Sequence, residues 1–277
     1  MRIWTIGRVG ILALAALSLA ACSTTTEQGA VGVERRQLLL VSSAEMDQAA
    51  AAQYQSVLKE QNPKGNVNKD PQQVERVRAI AKRLIPQTAV FRKDALEWKW
   101  EVNVLTSPEI NAWCMPGGKI AVYTGIIEKL QITDDELAAV MGHEMSHALR
   151  EHSRERASQQ VAAGAGATLL GTAADIFFGT GQLGTAAAGA GAQVGFLLPY
   201  SRLHETEADR MGVELAARAG YDPRAAIALW QKMGKLSGGG APPQILSTHP
   251  SNEARIKDLT EFSQKVLPLY EEARAKK

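Results

Sequence analysis

The sequence predicts an α+β fold, mostly helical, with a small β-sheet and a central helix that carries a His-Glu-x-x-His pattern. Three observations predict it. Residues 43–61 and 71–85 repeat apolar residues at helical spacing, with Val74, Val77, Ile80, Ala81 and Leu84 on one stripe. Trp98, Trp100, Val102 and Val104 alternate with Lys99, Glu101 and Asn103, the period of a half-buried strand. Thr133-Asp134-Asp135-Glu136 has the spacing at which a threonine hydroxyl and a glutamate carboxylate cap each other's backbone N–H groups, so a helix begins there.

In chain order, residues 1–8 carry Arg2 and Arg8 and no acid, and residues 9–21 are an apolar run. The run is shorter than the about 20 apolar residues a membrane span needs, and the combination reads as a secretory signal. Its end, Leu19-Ala20-Ala21-Cys22, resembles the bacterial lipobox. That resemblance implies a lipoprotein signal peptide over 1–21, cleavage before Cys22 and lipidation of Cys22, which would anchor the chain in a membrane. Ser23 in place of Asp favours the outer membrane, facing the periplasm. Residues 22–42 then form a lipid-anchored tether, polar over 23–36, and residues 43–277 form the domain.

Loss of residues 1–21 removes two arginines and no acid, so the formal charge of +2 falls to zero. No basic excess remains to hold nucleic acid. Cys114 is the only cysteine besides Cys22, so no intramolecular disulfide is available once Cys22 is lipidated.

"NAWCMPGGKIAVYTG" reads as an extended segment, a Pro116-Gly117-Gly118 turn and a second strand through Val122 and Tyr123. The capped helix then carries Leu137, Val140, Met141 and "HEMSH". Residues four apart share a helical face, so His143 and His147 can direct two imidazoles at one point. Zinc takes neutral imidazole nitrogens, and a catalytic site keeps a fourth position for water, which Glu144 is placed to reach. His152 lies about half a turn out of phase with His143 at about 100° per residue, and is expected as a surface or packing histidine in the last turns of the same helix. Arg150 and Ser153 depart from the extended zinc pattern that places glycine and histidine there.

The third ligand must come from elsewhere, and "PYSRLHETEADRMG" is the best source. Glu205 and Asp209 sit four apart on a second helix; with Glu205 on the metal, Asp209 can hold a ligand histidine through its other ring N–H. Glu207 would point roughly 200° away. Residues 161–198, rich in Gly and Ala with Asp175 the one charge, are expected as a helical hairpin or cover over the cleft. Gly220 reads as a helix C-cap, Asp222-Pro223 restarts a helix, and residues 252–275 form a final amphipathic helix.

"HEMSHALREHS", "SRLHETEADRMG", "NAWCMPGGKIAVYTG" and "STHPSNEARI" together resemble the HtpX and CAAX-prenyl-protease family of zinc metallopeptidases, in its periplasmic lipoprotein branch. The resemblance covers about residues 70–262. It implies a zincin-like domain holding one Zn²⁺ per chain on His143, His147 and Glu205, with Glu144 as general base and Asp209 behind a ligand. It also implies a membrane-anchored endopeptidase acting on unfolded or misassembled envelope proteins. An extended substrate is expected along Asn111, Ala112, Trp113 and Cys114. His249 is expected as a loop residue that caps the final helix region, as a fourth ligand that holds the enzyme latent, or as a donor to the tetrahedral oxyanion. A chaperone-like lipoprotein that binds outer-membrane proteins without cleavage, and a zinc amidase acting on peptidoglycan, are the alternatives.

Overall fold

The computed structural model describes residues 22–163, 201–236, 244–249 and 253–276. The signal expected over 1–21, positions 164–198 of the expected cover and positions 238–243 lie outside the described residues.

Helix α1 (Ser43–Gln61) starts at a capping box formed by Ser42 and Glu45. Helix α2 (Pro71–Leu84) starts where Asp70 accepts from the N–H groups of Gln72 and Gln73, with proline at the first turn. Its buried residues are Val74, Val77, Ile80, Ala81 and Leu84, the stripe read from the sequence. Two further strands precede α1: β1 (Cys22–Ser23) pairs antiparallel with β2 (Gln37–Leu38).

The main sheet contains β3 (Glu101–Leu105), β4 (Ala112–Met115) and β5 (Lys119–Tyr123) in the order β3-β5-β4, with β3 parallel and β4 antiparallel to β5. The alternating stretch enters the ladder only at Glu101, because a 3₁₀ turn over Lys93–Glu97 draws Trp100 back to donate its indole N–H to the Ala95 carbonyl. The β4–β5 turn places Gly117 and Gly118 at φ 72° and 79°, a region open to glycine at little cost. Alternation divides the hairpin between two cores: Ala112, Cys114, Ile120 and Val122 face the helices, and Trp113, Met115, Ala121 and Tyr123 face α1. Cys114 is a buried free thiol.

After α3 (Thr124–Lys129) comes α4 (Asp134–Leu149), capped by the reciprocal Thr133 and Glu136 pair and buried continuously from Glu136 to Leu149. A helix enclosed on every side is a central helix. It stops at Arg150, and Glu151 takes φ 52°, so α5 (His152–Ala163) sets out in a new direction. The expectation that His152 closes the α4 helix is therefore corrected. The remaining helices are α6 (Arg202–Arg218), α7 (Ala225–Leu236), α8 (Gln244–Thr248) and α9 (Glu253–Ala275). Gly220, at φ 72°, follows α6 as its left-handed cap. No helix of the described residues is long and apolar enough to cross a membrane.

The polar stretch expected as a tether packs against the domain over its described length. Val31 and Val33 enter the main core, the Val31 N–H donates to Glu214 Oε2, and Gln37 is buried against the Arg150 carbonyl. Composition suggested a linker because most side chains there are polar. Their partners are supplied by distant helices.

Helices α4 and α6 cross backbone to backbone. A Cβ on Gly142 would stand 2.8 Å from the Gly212 carbonyl oxygen, and one on Gly212 would stand 2.8 Å from the His143 nitrogen. Gly212→Ala should therefore cost about 1–3 kcal/mol as the helices part. Gly234→Ala, with nothing within 4 Å of the added methyl in α7, should instead stabilise by about 1 kcal/mol through helix propensity. Thermal unfolding of the two variants checks the opposite signs.

Candidate metal centre

The α4–α6 crossing brings His143 and His147, one turn apart, against Glu205 in the first turn of α6. Ser201 caps that turn through the His204 N–H, and a carboxylate suits the positive end of a helix. His249, just beyond α8, completes a buried group of four whose donor atoms all lie within 4.8 Å of one another. His143 Nε2 is 3.1 Å from His147 Nε2 and 3.2 Å from His249 Nδ1. The Glu205 carboxylate lies 3.5 Å from His143 Nε2, 3.4 Å from His147 Nε2 and 2.8 Å from His249 Nδ1. Ligands at about 2.0–2.1 Å from a tetrahedral ion sit about 3.3 Å from each other. The observed spacings bracket that value, so the donor set fits a divalent metal.

The two histidines of α4 are braced from behind. His143 Nδ1 lies 2.9 Å from Asp209 Oδ1, one helical turn after Glu205. Asp209 is gripped by Arg255 of α9, which donates from Nε at 2.6 Å and from Nη2 at 2.8 Å. The Arg255 guanidinium lies over the Trp230 ring, 3.4 Å from its centroid, and its Nη1 stands 3.1 Å from Glu205 Oε2. His147 is backed by another imidazole, with its Nδ1 2.8 Å from His152 Nδ1, while His152 Nε2 is 3.0 Å from Glu207 Oε2. The surface setting considered for His152 is thus replaced by full burial, stacked on His204 at 4.4 Å between ring centroids. Glu207 does face away from Glu205, but into a buried polar layer.

Glu144 is buried beside the cluster. Its Oε1 accepts no hydrogen bond, although His249 Nε2 stands 3.5 Å away. An orphaned carboxylate oxygen next to clustered imidazoles is the residue set a metal-assisted hydrolysis would use. Burial raises the Glu144 carboxyl above its ordinary value. Burial also pushes His147 well below the usual imidazole range. For Glu205, burial opposes ionisation, yet His249, His143 and His147 hold its carboxyl well below the usual range.

Strand β4 lies at the edge of the sheet and packs beside α4. The side chains of Asn111, Ala112, Trp113 and Cys114 are all buried. They are closed to a substrate, and what this segment can offer is the main chain along its outer edge. The Ile110 carbonyl already accepts from Ile245 N–H of α8, and Ile245 in turn accepts from the His249 N–H. This ties His249 to the end of the edge strand.

His152, Glu207, Glu155, Arg35 and Trp230 also contribute to the site, and motif reasoning assigned them no part in it. One signal was available: the chain has five histidines, and rings run continuously from His204 through His152, His147 and His143 to His249.

Residues 71–263 match the model of peptidase family M48. The chain is 38% identical over 178 residues to the mitochondrial metalloendopeptidase OMA1 of Arabidopsis thaliana, a match covering 64% of this chain and 34% of the relative. It is 35% identical over 187 residues to the mitochondrial metalloendopeptidase OMA1 of Schizosaccharomyces pombe, covering 67% and 52%. It is 27% identical over 206 residues to the β-barrel assembly-enhancing protease of Escherichia coli, covering 72% and 41%. The matches span roughly a third to a half of these relatives' lengths. The family resemblance read from the four motifs agrees with the family model.

In the metal-free cluster, burial works against a charge on His143, but Asp209 and Glu205 outweigh it and hold the imidazole up to about 9. Below that pH a metal must displace a proton from His143, whereas His147 is already neutral. Apparent metal affinity should therefore rise with pH up to about 9 and level off above it. Binding at pH 7 should release about one proton. Calorimetry in two buffers of different ionisation enthalpy measures the release, and equal heats in both would show that His143 binds without losing a proton.

Proposed function

The chain belongs to peptidase family M48, and from this premise we propose that it is a zinc metalloendopeptidase whose ion is held by His143, His147 and Glu205. The buried Oε1 of Glu144, without a hydrogen bond beside the clustered histidines, is the observation that carries this reading. Two imidazoles and one carboxylate make a ligand set of zinc hydrolases. A bound zinc ion would supply Lewis acidity, polarising a peptide carbonyl and making a water acidic.

The residues do the rest. Asp209 fixes the His143 ring, so that Nε2 faces the cluster. Glu144, made more basic by its burial, removes a proton from the attacking water and then delivers it to the leaving amine. The outer edge of β4 offers main-chain pairing to an extended chain, a mode that reads backbone more than side chains. Such pairing suits unfolded or misassembled polypeptides. Anchored through a lipidated Cys22, the enzyme would act on proteins of the bacterial envelope from the periplasmic side of the outer membrane. The named activity of the Escherichia coli relative, in β-barrel assembly, supports that setting.

His249 acts in this reading as a fourth donor. Its Nδ1 lies 2.8 Å from Glu205 Oε1 and 3.2 Å from His143 Nε2, beside the 3.1 Å that separates the two helix histidines. With a zinc ion bound, the neutral His249 imidazole would occupy the position that water needs and would hold the enzyme latent.

Glu144→Gln should keep one zinc per chain and lose casein cleavage by several orders of magnitude, since it removes the base and leaves every donor in place. Undiminished cleavage by that variant would exclude the mechanism. Wild-type release of fragments from purified peptidoglycan, with casein intact, would indicate an amidase.

His249→Ala should raise basal proteolysis by freeing the fourth position. A fall in kcat of roughly 10²–10³ with KM unchanged would instead make His249 a donor to the oxyanion.

A further inference from the structure

The segment before α1 reaches the back of the metal cluster. Arg35, just ahead of β2, directs its guanidinium at two carboxylates, Glu155 of α5 and Glu207 of α6. Nη1 and Nη2 donate to Glu155 Oε1 and Oε2 at 2.6 and 2.7 Å, Nη2 also donates to Glu207 Oε2 at 2.9 Å, and Nε lies 2.9 Å from Glu207 Oε1. Both carboxylates are buried, and Arg150 Nη2 stands 3.4 Å from Glu207 Oε1. Two guanidiniums thus face two carboxylates, and Arg35 supplies half of the balancing charge.

The hydrogen bonds behind His147 admit one direction. An imidazole that presents Nε2 to a metal carries its hydrogen on Nδ1. His147 Nδ1 then donates to His152 Nδ1, which must accept, leaving the hydrogen of His152 on Nε2, where Glu207 Oε2 accepts it at 3.0 Å. A carboxylate held in place at Glu207 therefore selects the ring state of His152 that can accept from His147. Asp209 does the same for His143 directly.

We propose that the N-terminal strap is part of the metal site, with Arg35 acting through Glu207 and His152 as a positioning residue for His147. The inference rests on His147 being a ligand. Lysine could not replace Arg35 fully, because one ammonium cannot present a planar fork to two carboxylates. The arrangement also joins the metal site to the segment that begins at Cys22.

The test is zinc affinity, by chelator competition, on the full chain from Cys22 in detergent. Outer partners of a metal-ligating histidine typically matter by about 10- to 100-fold in affinity. His152→Leu and Arg35→Gln should each weaken zinc binding within that range, and Arg35→Lys should fall between wild type and Arg35→Gln. Because Arg35 acts through His152, the double variant Arg35→Gln with His152→Leu should bind within about twofold of His152→Leu alone. Val33→Ala, which loosens the strap without touching these charges, should lower the unfolding midpoint and leave zinc affinity unchanged. Wild-type affinity in Arg35→Gln, or in Arg35→Lys and His152→Leu together should Arg35→Gln not fold, would overturn the proposal. Losses that multiply in the double variant would do the same. His147→Ala separates the two claims: a large loss there with none in the strap variants sinks the relay alone, while retained affinity removes His147 as a ligand and the relay with it.

Discussion

The close crossing of α4 and α6 governs the geometry of the whole site. Gly142 and Gly212 let the two backbones meet with no side chain between them, and a methyl on either would press within 2.8 Å of the other helix's main chain. Both glycines lie beside residues of the buried cluster: Gly142 directly precedes His143, and Gly212 follows Asp209 by about one turn of α6. At that separation a short carboxylate such as Asp209 reaches His143 Nδ1, while the longer Glu205, one turn earlier, reaches the Nε2 side. Wider helix spacing would leave these acids short of the rings. The glycines thus set the distance, and the side-chain lengths are matched to it.

Charges buried around this crossing impose a second demand, because an ionised group removed from water is costly unless paired and hydrogen-bonded. The protein meets it with layers. Asp209 is gripped by Arg255, itself laid over Trp230, on the side of His143. Glu207 and Glu155 are met by Arg35 and Arg150 on the side of His147. Arg150, fully buried, also donates to Thr24 and to the Arg35 carbonyl, so it ties the N-terminal segment to the end of α4. Among the described carboxylates around this crossing, Glu144 keeps a buried oxygen that neither a guanidinium nor a hydrogen bond meets. The contrast sets Glu144 apart from the paired carboxylates around it.

Much of this was legible in advance where the signal was local. The capping box at Thr133 and Glu136, the stripe of α2 and the turn at Gly117 and Gly118 each depend on residues a few positions apart, so a short window contains the whole cause. The pairing of His143 with His147 is of the same kind, one turn along one helix. The phase that sets His152 opposite His143 holds only along one unbroken helix, whereas α4 ends at Leu149 and the left-handed Glu151 resets the direction. The N-terminal segment was read as a tether because its composition is polar, yet its charges have partners far along the chain.

By itself the sequence determined the α+β character, the positions of the main helices and of the β-hairpin, and the two motifs that contribute His143, Glu144, His147, Glu205 and Asp209. These follow from periodicity, capping and spacing, which act over a turn or two of chain. Tertiary structure alone decided how close His249, already expected near the metal, comes to the helix histidines, that Glu207 and His152 form the layer behind His147, and that Arg35 closes that layer from the other end of the protein. Apart from His152 against His147, five positions apart, those contacts join residues from 44 to 172 positions apart. Their formation depends on how helices cross and where buried charges find partners, which is settled only when the packed interior excludes water.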